Sequence, residues 1–305
     1  MYEVPLQISL DKGLVPRLSI LDGLTQCLNM IVRNGQLTTL NSKGAFSTIS
    51  ADWPFPQIFK LGHPRQRLFV CTASAIYELV ISGSTYVLTT LLSGITNSSY
   101  PWGADSVGEF IIFVNNRTVV YNEDVVGQNK AFVEHTTGNI PIARDICNYN
   151  AQLIVAAPWM YGQQHPGCIA TSRVANADFT LSRVNITELV PVDHCGNILR
   201  VLATERGFIA YGSKGVAEFI AQQNEYSNLV APTFTQVFLK EVGLYSQLAV
   251  YAAPGHHCYV GSDLMLREIT PKGVETLDFN HILKETPGEI VMNYDEVMEE
   301  FYITY

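Results

Sequence analysis

One unit recurs along this 305-residue chain: an apolar strand, a short turn and a second apolar strand, often followed by a third rich in Thr, Val and Phe. Leu68-Phe69-Val70 leads through Thr72-Ala73-Ser74 into Ile76-Tyr77-Glu78-Leu79, and Phe110-Ile111-Ile112-Phe113 turns at Asn115-Asn116 into Val119-Val120-Tyr121. Leu153-Ile154-Val155 begins a third copy whose turn has grown into Trp159–Gly167 before Cys168-Ile169-Ala170 resumes. Phe208–Tyr211 with Val216–Phe219, and Cys258–Val260 with Leu264–Ile269, form the fourth and fifth. The middle residues of the leading strands, Phe69, Ile111, Ile154, Ile209 and Tyr259, are separated by 42, 43, 55 and 50 residues. A period of this length with several strands per repeat predicts an all-β fold, a single β-propeller.

A sixth leading strand, Phe301-Tyr302-Ile303, follows 43 residues after Tyr259 and the sequence stops at Tyr305, half a blade short. Spare strands stand at the other end, where Leu28–Val32 turns at Asn34-Gly35 into Gln36–Leu40. The expectation is six blades: 53–94, 95–138, 139–190, 191–240 and 241–283, then a closing blade made of 284–305 plus 27–50, which would remove free sheet edges. Residues 1–26 stay outside the propeller as an extended arm, because Pro5, Gly13 and Pro16 oppose regular structure.

The net charge of -9 argues against a surface built to grip phosphate backbones. Without a polybasic run, the electrostatic signature of membrane-surface binding is missing as well. Met1-Tyr2-Glu3-Val4-Pro5 lacks the basic and apolar segments of a secretion signal, so the six cysteines, Cys27, Cys71, Cys147, Cys168, Cys195 and Cys258, are expected as reduced, mostly buried thiols.

No catalytic residue, cofactor or metal ligand stands out, and the chain is read as a non-enzyme. Gly212-Ser213-Lys214-Gly215 lacks the spacing of a phosphate-binding loop and reads as a hairpin turn. His256-His257-Cys258 and Asp193-His194-Cys195 carry metal-binding chemistry, but neighbours on a strand point to opposite faces. Propeller glycosidases and sialidases set carboxylates or arginines around the central opening. Asp52, Asp105, Asp145, Asp263, Arg144 and Arg206 are the candidates, with no spacing that selects an acid–base pair. Glu78, Glu218 and Glu268 recur at one repeat position, which points to blade structure. Trp53-Pro54, Pro101-Trp102 and Pro158-Trp159 fit either interblade packing or a rim of exposed aromatic anchors.

The run Asp22-Gly23-Leu24-Thr25-Gln26-Cys27-Leu28-Asn29-Met30, then Gly44–Ile49, resembles the opening of the tail-hub proteins of short-tailed bacteriophages, also called packaged-DNA stabilisation or head-completion proteins. Asn293–Ile303 resembles the blade style of the same family. The resemblance implies a virion tail or head-to-tail connector protein, made in the bacterial host cytoplasm. It further implies a homo-oligomeric ring, commonly six-fold, that attaches to portal and adaptor rings and other tail proteins. Such a ring continues the DNA channel and retains the genome until ejection, with double-stranded DNA passing through without specific binding. Better-known members add domains after the propeller, and this sequence ends with the closing strand.

Assembly contacts are expected from the arm, through Val4, Leu6, Ile8, Leu10, Leu14, Val15 and Leu18, and from the enlarged loop, through Trp159, Tyr161 and His165. The alternative from another class is a carbohydrate-binding or glycan-cleaving propeller of the tail.

Overall fold

The computed structural model describes residues 30–33, 36–39, 57–62, 66–82, 85–95, 101–108, 110–123, 131–135, 139–180, 189–222, 233–253, 255–277, 289–295 and 300–304. The chain divides into two units, Met1–Ile49 and Ser50–Tyr305. In the first, β1 (Met30–Arg33) pairs antiparallel with β2 (Gln36–Thr39), Arg33 opposite Gln36, forming the hairpin expected about Asn34-Gly35.

Among the described residues the second unit holds five four-stranded antiparallel meanders and no helix. The first blade is β3 (Gln57–Leu61), β4 (Arg67–Cys71), β5 (Ala75–Ser82) and β6 (Thr85–Ser93); the second is β7 (Gly103–Val107), β8 (Phe110–Val114), β9 (Val119–Glu123) and β10 (Val133–His135). In the third, β11 (Asp145–Tyr149) and β12 (Gln152–Ala156) precede a small inserted hairpin, β13 (Trp159–Met160) with β14 (Gln163–Gln164). The sheet then resumes with β15 (Cys168–Thr171) and β16 (Leu189–Pro191). β17 (Ile198–Thr204), β18 (Gly207–Gly212), β19 (Val216–Gln222) and β20 (Thr233–Lys240) form the fourth. The fifth is β21 (Val250–Ala253), β22 (His256–Val260), β23 (Leu266–Thr270) and β24 (Gly273–Thr276), and a two-stranded hairpin, β25 (Val291–Asp295) with β26 (Glu300–Thr304), follows it.

The first strands of successive sheets lie side by side, β3 by β7, β7 by β11, β11 by β17, β17 by β21 and β21 by β25. Sheets that radiate in chain order from such a series of inner strands are the blades of a β-propeller.

In the second, third and fourth blades the second strand is apolar on both faces because it is sandwiched between two neighbours. In β8, Ile111 and Phe113 pack with Phe69 and Trp102 towards the first blade, while Ile112 and Val114 pack with Leu153 and Val155 of the third. In β18, Phe208 and Ala210 face the third blade, and Ile209 and Tyr211 face Tyr259 of the fifth. Burial on both faces produces continuous apolar runs in place of strict alternation. These are the leading strands of the repeat, so each blade begins one strand earlier than the repeated unit.

Two recurring ion pairs brace the blades. Arg67 donates from Nε and Nη2 to the Glu78 carboxylate, each at 2.8 Å, and Arg206 does the same to Glu218 at 3.1 and 3.0 Å. Glu78 stands opposite Phe69 and Glu218 opposite Ile209, the equivalent register. The expected equivalence of Glu268 is corrected here: it stands opposite Cys258, and Arg267 takes the place opposite Tyr259.

Candidate functional site

Two of the acidic candidates, Asp105 and Asp145, sit on inner strands, where their chemistry is spent on holding blades together. Asp105 in β7 accepts from the Asn148 amide in β11 at 2.7 Å, and Asp145 in β11 accepts from the Val201 amide in β17 at 2.8 Å. A Cβ on Gly103 would collide with the Asp145 carboxylate, so that close approach requires glycine. Burial raises both carboxyls to about 6, against the lowering effect of the amides and, for Asp145, of Arg200 at 3.8 Å.

The remaining candidates are also engaged. Asp263 binds Arg267 through both oxygens, Arg206 binds Glu218, and the Arg144 carbonyl accepts from Gln247 Nε2 at 2.9 Å, linking the entries to the third and fifth blades. Asp52 and Trp53 lie outside the described residues.

His257 is held in its neutral form. The Tyr211 hydroxyl lies 2.8 Å from Nδ1 and the Ala203 carbonyl 3.2 Å from Nε2, so one neutral tautomer satisfies both contacts. Burial pushes its pKa down to about 4. His256, on the opposite face of β22, meets the rings of Tyr294 and Phe301, while His194 meets Phe238. Cys71, Cys147, Cys195 and Cys258 are buried free thiols and Cys168 is half-buried; Cys27 lies outside the described residues.

The two described Trp-Pro motifs part company. Trp102 is fully buried between the first two blades and donates from its indole to the Thr72 carbonyl at 2.7 Å, so it is a packing residue. Trp159 is 52% exposed and Tyr161 61% exposed, both on the hairpin β13–β14. That hairpin is anchored at several points. The Trp159 amide donates to the Ile142 carbonyl at 2.7 Å, Gln164 Nε2 donates to Asn116 Oδ1 at 2.6 Å, and His165 Nε2 lies 3.1 Å from the Met160 carbonyl.

At the tip, Tyr161 and Gly162 have φ values of 54° and 79°, the two positive values of a two-residue I′ turn. Asn or Gly suits the first of these positions; a tyrosine there costs about 1 kcal/mol. The tip thus holds an exposed aromatic ring, edge-on to His165, in a backbone conformation that works against it.

Of the expected assembly residues, the structure brings Trp159, Tyr161 and His165 together on this hairpin. Val4, Leu6, Ile8, Leu10, Leu14, Val15 and Leu18 lie outside the described residues.

A cleft of about 710 Å³ opens between the fourth and fifth blades, with Ile220, Val237, Leu239 and Ile269 as apolar walls and Glu205 and Lys272 among its polar lining. Sequence reading missed it. The available signal was β20, whose run Val237-Phe238-Leu239 is apolar on both faces of an outermost strand, leaving Val237 38% and Phe238 41% exposed.

No family profile matches the chain, and no curated protein matches it. Among solved structures, one described as YCF48 bound to D1 peptide is 13% identical, with 84% of this chain and 96% of that chain covered at a TM-score of 0.39. The structure of Kluyveromyces lactis Hsv2p is 11% identical, with 78% and 93% covered at a TM-score of 0.32. Likeness at this level adds nothing to the fold already evident in the sheets.

Proposed function

We propose that this chain is a structural virion protein of a short-tailed bacteriophage: a tail hub or head-to-tail connector whose copies form a ring continuing the DNA channel. The carrying observation is the β13–β14 hairpin. An anchored hairpin that presents Trp159 and Tyr161 to solvent is built for contact, since Trp and Tyr are the side chains that dominate protein interfaces. The N-terminal and C-terminal sequence resemblance supplies the viral setting. A net charge of -9 suits a wall along which DNA slides, because like charges do not adhere.

The arm and the hairpin are the contacts with neighbouring copies and with the adaptor or portal ring. Electron micrographs of the purified chain, alone and mixed with DNA-filled heads, test this reading. Symmetric rings that bind the head vertex are expected; monomers that cleave a host polysaccharide would overturn it.

A further inference from the structure

We propose that the β13–β14 hairpin of one copy inserts Tyr161 and Trp159 into the cleft between the fourth and fifth blades of a second copy. The inference rests on the assembly reading above and names the surface that receives the hairpin.

The two features sit at opposite ends of the strands. The hairpin is inserted between the second and third strands of its blade, whereas the cleft is bordered by the turns β17–β18, β21–β22 and β23–β24, which join first to second and third to fourth strands. In an antiparallel meander, alternate turns lie at opposite ends of the sheet. A projection at one end and a recess at the other make the contact heterologous: each copy gives its hairpin to one neighbour and its cleft to another. Contacts of this kind generate rings or open stacks.

The chemistry of the two surfaces agrees. From Pro158 to Cys168 the hairpin segment carries no Asp, Glu, Lys or Arg. In the cleft, Arg206 and Glu218 already neutralise one another through two hydrogen bonds, and the other charged lining residues, Glu205 and Lys272, are exposed side chains of opposite sign, so an uncharged tip meets no net charge there. The walls it would meet are the aliphatic Ile220, Val237, Leu239 and Ile269, and the volume lies within the roughly 300–1,000 Å³ range of binding pockets. The unfavourable backbone at Tyr161 is then accounted for, because it keeps at the tip a ring that is 61% exposed, meets only the edge of His165 among the ring contacts of its own copy, and is left open for a partner.

Area limits the strength of a single junction. Two aromatic side chains exposed at 52% and 61% supply on the order of 200 Å², well below the roughly 800 Å² per partner of a stable complex. Flanking surface must add to the contact, and association is expected at micromolar concentrations or above.

The test uses the full chain in sedimentation velocity over a concentration series. A hairpin variant, Trp159→Ala with Tyr161→Asn, and a cleft variant, Val237→Arg, alter exposed positions. Thermal melting of each, compared with wild type, establishes that both fold. Each variant alone should lose self-association by tenfold or more, while an equimolar mixture should form pairs and nothing larger, since each pair holds one intact hairpin in one intact cleft. Either variant assembling like wild type, or a folded mixture that stays monomeric, overturns the hairpin-in-cleft contact and leaves the assembly reading standing on other surfaces. A wild-type chain that remains monomeric throughout overturns both.

Discussion

Asp145 on β11 accepts a hydrogen bond from the Val201 amide on β17, one inner strand to the next, at 2.8 Å. Asp105 repeats the arrangement one blade earlier, to Asn148. Because burial raises both carboxyls to about 6, the folded chain holds protons there that the unfolded chain, with carboxyls near 3.8, releases. Their contribution to stability is therefore fully present below pH 3.8 and lost as pH rises through about 6. Asp105→Asn should remove about half of this dependence, visible as a flatter plot of melting temperature between pH 4 and 6. An unchanged plot would mean that these carboxyls do not titrate in that window.

His257 works in the opposite sense. Its folded pKa is lowered to about 4 from 6.5, so its contribution is present above pH 6.5 and lost as pH falls towards 4. Tyr211→Phe leaves Nδ1 without its buried partner and should cost about 1–3 kcal/mol in denaturant unfolding at neutral pH. The His257 ring protons, followed by NMR, should titrate well below pH 6; a midpoint near 6.5 would contradict the burial seen here.

The two tryptophans should respond very differently to truncation. Trp102→Ala removes a fully buried side chain between blades and should cost about 3–5 kcal/mol of unfolding free energy. Trp159→Ala trims a half-exposed side chain and should change it by no more than about 0.5 kcal/mol. Comparable losses would mean that Trp159 supports the fold of its own chain.

What the sequence revealed and what it hid follow from burial. The second strands could be read because neighbours press on both faces, as at Phe110–Val114 and Gly207–Gly212, leaving unbroken apolar runs. The inner strands were missed because their side chains serve the neighbouring backbone. Gly103-Ala104-Asp105-Ser106-Val107 and Asp145-Ile146-Cys147-Asn148-Tyr149 mix small, acidic and amide residues and show neither alternation nor a continuous apolar run. The enlarged loop at Pro158–Gly167 was legible as an interruption of the repeat. Its strained tip was not, since a tyrosine before a glycine reads as an ordinary turn until φ is known. The cleft was hidden because it belongs to two blades whose walls are about 50 residues apart in the chain, Ile220 in one and Ile269 in the other.

Completion of the propeller turns on its last sheet. Among the described residues β26 pairs only with β25, so this hairpin supplies two strands where every preceding blade has four. It is seated on the fifth blade, with Ile290 and Met292 buried there, Phe301 and Ile303 packed against them, and the Met292 amide donating to the Leu248 carbonyl at 2.9 Å. At the start of the unit, Phe59 of β3 packs on Phe113 of the second blade, while its neighbour Ile58, on the other face, is 64% exposed. Among the described residues the outer edge of β26 is open, and an open sheet edge can accept further strands. If residues 27–50 provide those strands, deleting 1–50 should lower the melting temperature sharply or prevent folding, and deleting only 1–20 should leave it unchanged. Incorporation into particles separates the two segments further: the shorter deletion should fold normally yet fail to be incorporated. A longer deletion that melts with the intact chain would refute closure through the N-terminal strands, and normal incorporation after the shorter one would refute a docking role for the arm.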